Sequence, residues 1–103
     1  MILEAAVLSI APAHKAPFEA AYAQARLVIA QSVGFLSVQL QRCMEVEGRY
    51  LLLVQWRTLE DRVVGFRQSP LFAQWRALIG PYFTAPPELQ HYEQVGAASV
   101  AAP

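Results

Sequence analysis

The first ten residues carry apolar side chains on both faces of an extended segment. Leu3, Ala5 and Val7 fall on one side of Ile2 to Ile10, while Ile2, Ala6, Leu8 and Ile10 share the other with a single charge, Glu4. That pattern predicts an inner strand covered twice, ended by Pro12. From about Lys15 the period lengthens. Phe18, Ala21, Tyr22, Ala25 and Ile29 recur at helical spacing and predict a helix to about Ser32 with one buried stripe. Pro17 is tolerable in a first turn, where its missing N–H costs nothing. Gly34 is expected to close this helix as a left-handed cap.

Period two then returns. Leu36, Val38 and Leu40 alternate with Ser37, Gln39 and Gln41, predicting a strand from Phe35 to Met44 with one wetter face. Tyr50, Leu52, Val54 and Trp56 alternate with Leu51 and Leu53 in a second strand, Tyr50 to Arg57. The polar turn between them, Glu45 to Gly48, makes the pair a hairpin. Thr58-Leu-Glu-Asp61 resembles a capping box and opens a short helix to about Phe66. Ser69-Pro70 opens another, with Ser as cap and Pro in the first turn. Its apolar face is Leu71, Phe72, Trp75, Leu78 and Ile79, and Gly80-Pro81 stops it. Glu88 to Val95 reads as the last strand, with Leu89, His91, Glu93 and Val95 on one side.

The order strand-helix-strand-strand-helix-strand predicts an α+β, ferredoxin-like βαββαβ domain over residues 1–95. Its four-stranded antiparallel sheet has both helices on one face. The opposite face has no cover, so a homodimer, a dimeric α/β barrel, is expected. Composition strengthens this. Only 16% of residues are charged, against about 25% in an average domain. A small surface with so little charge is expected to hide part of itself in an interface. Net charge is zero and no basic run occurs, so neither composition nor charge suggests nucleic-acid binding. The lone Cys43 has no internal disulfide partner, which fits a reducing compartment. Glu4 interrupts the short N-terminal apolar stretch, which argues against a signal peptide, and no apolar run is long enough to span a bilayer. A cytoplasmic protein without membrane contact is the expectation. Residues 96–103 form a simple tail, expected to be partly disordered.

Tyr50-Leu-Leu-Leu-Val-Gln-Trp56, Phe66-Arg-Gln-Ser-Pro70, Phe72-x-x-Trp75-Arg76 and His91-Tyr92-Glu93 resemble the antibiotic biosynthesis monooxygenase family. The resemblance runs from about Ile2 to Val95. It implies a dimeric α+β barrel with a pocket between sheet and helices. It also implies oxygenation of an electron-rich phenol, quinol or anthrone-like substrate without metal, flavin or haem. Two positions depart from relatives. Many carry a histidine where Phe66 stands, three residues before the serine. The haem-degrading branch has its iron-ligating histidine roughly at Arg76, and arginine is no such ligand.

Against that background His91 is the ionisable group of most interest. Imidazole titrates near neutrality and can take a proton from a phenol-type substrate. The plain alternative is a structural histidine bonded to its surroundings. Trp56, Phe66, Phe72, Trp75 and Tyr82 supply aromatic surface to line a slot for a planar ring, or else form ordinary core. Trp75 and Tyr82, with polar tips, are the expected ligand contacts. Arg76 and Arg67 offer guanidinium forks for an oxyanion or carboxylate, or ion pairs with Glu60 or Asp61. His14 is expected to be exposed and idle. The two histidines are far apart without a carboxylate cluster, so no metal site is expected. Cys43 reads as an incidental thiol. Two other functions stay open on the same scaffold: a non-catalytic barrel binding a small hydrophobic molecule, and an isomerase or cyclase.

Overall fold

The computed structural model describes residues 1–100; the final three residues of the expected tail lie outside them. β1 (Ile2–Ser9), β2 (Phe35–Arg42), β3 (Arg49–Trp56) and β4 (Glu88–Glu93) form one sheet in the order β2-β3-β1-β4. All its pairings are antiparallel, as a ferredoxin-like order requires. Helices α1 (Lys15–Ile29) and α2 (Pro70–Ile79) pack on each other and on the same core.

That core forms where period two meets period 3.6. Ala6 and Leu8 of β1 and Tyr50, Leu52, Val54 and Trp56 of β3 are buried against Phe18, Ala25 and Ile29 of α1. Trp75 and Ile79 of α2 complete it. Each large apolar side chain so buried stabilises the fold by about 1.5–3 kcal/mol. Among the described residues no helix lies over the opposite sheet face. Leu3, Ala5, Val7 and Leu53 are half-buried there, and Leu51 is exposed.

Four local details differ from the sequence pattern. In β2 the register shifts between Phe35 and Ser37, which pair with Trp56 and Gln55. Leu36 is the extra residue of this bulge and is exposed, so it does not share the buried side of Val38 and Leu40. Phe35 turns inward instead, edge-on to Trp56 at 6.0 Å. Helix α1 stops at Ile29, short of Ser32. Gly34 (φ 82°) lies in the following turn, closed by the Phe35 N–H on the Ser32 carbonyl, and steers the chain into β2 rather than capping the helix. A Cβ at Gly34 would collide with the Asp61 carboxylate. Ser69 stands before α2, but its hydroxyl donates back to the Phe66 carbonyl at 2.8 Å instead of capping α2. β4 ends at Glu93, opposite Ile2, and Val95 is fully exposed beyond it. The Thr58 cap does form, its Oγ1 accepting the Asp61 N–H at 3.1 Å.

Candidate functional site

The charge that interrupts β1 organises one end of the inner layer. Glu4 sits on the helix-facing side, directly opposite Val54 on β3 and His91 on β4. It is only 4% exposed. Burial of a carboxylate is tolerated only with partners, and the chain supplies two. The Trp56 indole donates to Glu4 Oε1 at 2.9 Å, and Arg62 Nε donates to the same oxygen at 2.5 Å. Arg62, 6% exposed, is thus one half of a buried ion pair. It comes from a π-helical segment, Asp61–Phe66, whose wide turn buries Arg62 and Phe66 while Val63 and Val64 stay exposed. Such segments are uncommon and recur at functional sites.

This cluster is incompletely satisfied. Both donors land on Oε1 of Glu4. Beside it His91 Nε2 is buried with no hydrogen-bond partner among the described residues. Buried polar atoms are nearly always paired, so an orphan needs an explanation.

Aromatic rings adjoin the cluster. Trp56 and Phe66 lie 5.3 Å apart between centroids, Phe66 and Phe72 5.4 Å, and Phe66 and Trp75 6.5 Å. Trp56 is 0% and Phe66 1% exposed, so both are packed into the core, whereas Phe72 is half-buried. Arg62, Arg67 and Arg76 each hold their guanidinium carbon within 6 Å of the Phe72 ring centre, at 5.7, 5.9 and 5.9 Å. The structure therefore gathers Trp56, Phe66, Phe72, Trp75 and Arg76 into one region. Tyr82 is apart from it, edge-on to Phe18 at 6.1 Å, and Phe18 in turn packs on Tyr50 at 4.9 Å.

Glu4 and Arg62 escaped sequence reasoning as site residues. A signal existed for the first: one carboxylate on an otherwise apolar strand face is a buried charge in need of a partner. Nothing local announced Arg62, because its inward turn depends on the π-helical winding.

The Tyr50 end carries a second carboxylate cluster. Glu19 accepts Tyr50 Oη at 2.6 Å and two bonds from Arg42, at 3.0 and 2.8 Å. Arg42, and then Tyr50, hold the Glu19 carboxyl below its ordinary range. Burial first, and the Glu19 bond second, push the Tyr50 hydroxyl up to about 12. A shallow hollow of about 240 Å³ adjoins these three, with Tyr22 and Leu40. Three further shallow hollows, of about 350, 330 and 190 Å³, are lined by outer-face side chains including Ala5, Val7, Leu51 and Tyr92. None of these four includes His91. His14 is exposed and Cys43 half-buried with a free thiol. Among the described residues no helix is long and apolar enough to cross a membrane, and no His, Cys, Asp and Glu group is arranged to hold a metal ion.

Comparison with known proteins bears on the whole arrangement. Residues 1–78 match the family model for antibiotic biosynthesis monooxygenase. The uncharacterized protein YczJ of Bacillus subtilis (strain 168) is 40% identical over 95 residues, spanning 92% of this chain and 100% of its own. A Bordetella bronchiseptica structure bearing the same family's name superposes with a TM-score of 0.87 at 40% identity, covering 91% of this chain and 96% of that one. A Streptomyces coelicolor monooxygenase, from the gene ActVA-Orf6 and solved with nanaomycin D, superposes with a TM-score of 0.82. It covers 97% of this chain and 92% of its own, and at 19% identity it speaks for the fold alone.

Proposed function

From the premise that this chain belongs to the antibiotic biosynthesis monooxygenase family, we propose that it oxidises a small electron-rich aromatic with dioxygen, using no metal, flavin or haem. The substrate is a quinol, phenol or anthrone-like compound. The observation that carries this reading is the orphaned, buried Nε2 of His91 beside the Glu4–Arg62 pair. With its proton on Nδ1, an imidazole presents Nε2 as a free acceptor. A substrate O–H, or the acidic C–H of an anthrone, is the donor that would satisfy it. His91 takes that proton as general base. The anion left behind is electron-rich enough to pass one electron to dioxygen directly. Recombination of the radical with superoxide, and loss of water, would leave the quinone.

The neighbouring side chains have supporting roles. The half-buried Phe72 contacts the ring, backed by the buried Trp75, Trp56 and Phe66, and Arg76 anchors negative charge. A second copy of the chain covers the apolar outer face, making the homodimer. Oxygen uptake with a panel of quinols and anthrones tests the reading. Turnover is expected for at least one, and is expected to disappear in His91→Ala while the dimer persists. Uptake that survives in the variant refutes His91 as the base.

The hollows on the apolar outer face, none of which includes His91, favour a second reading, a dimeric barrel that binds a hydrophobic molecule without transforming it. Tight binding with no oxygen uptake would decide for it. Product formed under strict anaerobiosis would point instead to an isomerase or cyclase on this scaffold.

A further inference from the structure

The arginines around Phe72 carry more positive charge than the fold has use for. Three guanidinium groups surround one ring. Only Arg62 has a carboxylate in ion-pair contact, Glu4. Arg67 and Arg76 are exposed, and among the described residues neither reaches an acidic side chain within ion-pair distance. Of the two acids expected as alternative partners for these arginines, neither Glu60 nor Asp61 is in ion-pair contact among the described residues, and Asp61 is turned against Gly34. This local excess stands out on a chain whose 8 basic and 8 acidic residues balance. Like charges gathered at one point repel, and cation–π attraction offsets that only in part. A ring has two faces, so Phe72 does not by itself account for three cations.

We propose that Arg67 and Arg76, with Arg62 behind them, select an aromatic substrate bearing an ionised carboxylate. The proposal deepens the aromatic-substrate reading above and rests on it. A carboxylate is fully ionised at neutral pH, and its two oxygens match the parallel donors of a guanidinium. The half-buried Phe72 offers ring surface beside the same two guanidinium groups. Arg62 is committed to Glu4, so the exposed pair meets the substrate's charge. An uncompensated cationic patch also draws anionic ligands from solution, in a salt-dependent way.

The test compares two fluorescent probes of one shape, anthracene-2-carboxylate and the neutral anthracene-2-carboxamide, by equilibrium titration of the intact protein. The carboxylate is expected to bind at least about 10-fold tighter, with an advantage that shrinks as salt rises. Arg67→Gln/Arg76→Gln is expected to reduce that advantage below about 3-fold, the carboxylate losing more affinity than the carboxamide. Arg26→Gln, an exposed change on α1, is expected to preserve it. Equal binding of the two probes overturns the proposal. So does an advantage that survives the double variant, one lost equally in Arg26→Gln, or no saturable carboxylate binding at millimolar concentration. Because the readout is binding, these outcomes are independent of the oxygen-uptake experiment that decides the catalytic reading.

Discussion

Two carboxylates end up at opposite ends of β3, each facing an aromatic donor and an arginine, and they meet opposite fates. Tyr50 and Trp56 lie on the same face of that strand, about 20 Å apart at strand spacing. Trp56 and Arg62 converge on Glu4; Tyr50 and Arg42 converge on Glu19. At Glu19 both oxygens are used, and the arginine and carboxylate side chains remain 62% and 35% exposed. At Glu4 one oxygen takes both donors, the ion pair is almost wholly withdrawn from water, and the adjacent His91 nitrogen has no partner among the described residues. The first arrangement is a staple of α1 to the sheet, complete in itself. The second keeps hydrogen-bonding capacity in reserve, the condition a substrate-binding site needs. The same parts thus make scaffold or candidate site according to burial and to whether their valences are filled.

Breaking the two pairs separately should separate these roles. Glu4→Gln leaves the Arg62 charge buried without compensation, and a loss of about 3–5 kcal/mol is expected from the denaturation midpoint. Replacing both partners together, Glu4→Leu with Arg62→Met, is expected to recover part of that loss, because the desolvation of two ions disappears with them while the buried Trp56 N–H loses its acceptor. If the double variant is as unstable as the single one, the loss in Glu4→Gln does not come from an uncompensated buried charge.

The Glu19 cluster should respond more weakly. Glu19→Gln is expected to cost about 1 kcal/mol, since exposed pairs are screened by solvent. The pH dependence carries the sign. Glu19's carboxyl is lowered in the folded state, so its contribution is complete above the ordinary carboxylate range and is lost as pH falls through the lowered value. Tyr50's hydroxyl is raised to about 12, so its contribution is complete below pH about 10 and fades as pH climbs towards about 12. Tyr50→Phe is expected to flatten the alkaline limb of a stability–pH curve and Glu19→Gln the acid limb. A curve unchanged at both ends in these variants contradicts the staple.

The smallest effect on stability should come at the catalytic candidate. His91→Leu removes a buried acceptor that bonds nothing, so stability is expected to hold, or to rise by up to about 1 kcal/mol, even as oxygen uptake vanishes. A loss above about 2 kcal/mol would show that the imidazole is a structural part of the sheet edge.

Much of the fold was legible because its periods are clean. Tyr50, Leu52, Val54 and Trp56 announced the central strand, and all four are buried. Phe18, Ala25 and Ile29 announced the face of α1. Legibility ended where one residue changes sides. Leu36 reads as a member of the β2 stripe, yet the bulge expels it and admits Phe35. The aromatic set read as one group divides, with Tyr82 at the Phe18 end and the others near Phe72.

The sequence by itself determined the order of strands and helices, the buried faces of β3 and α1, and the bare outer side of the sheet. Those follow from side-chain hydrophobicity and from periods set by covalent geometry, which act over a few residues. Tertiary structure alone decided that Glu4 finds Arg62, that His91 lies across from Glu4, and that three arginines encircle Phe72. A charge's partner across 58 positions depends on strand register and helix winding accumulated over the intervening chain, and no local pattern encodes that sum.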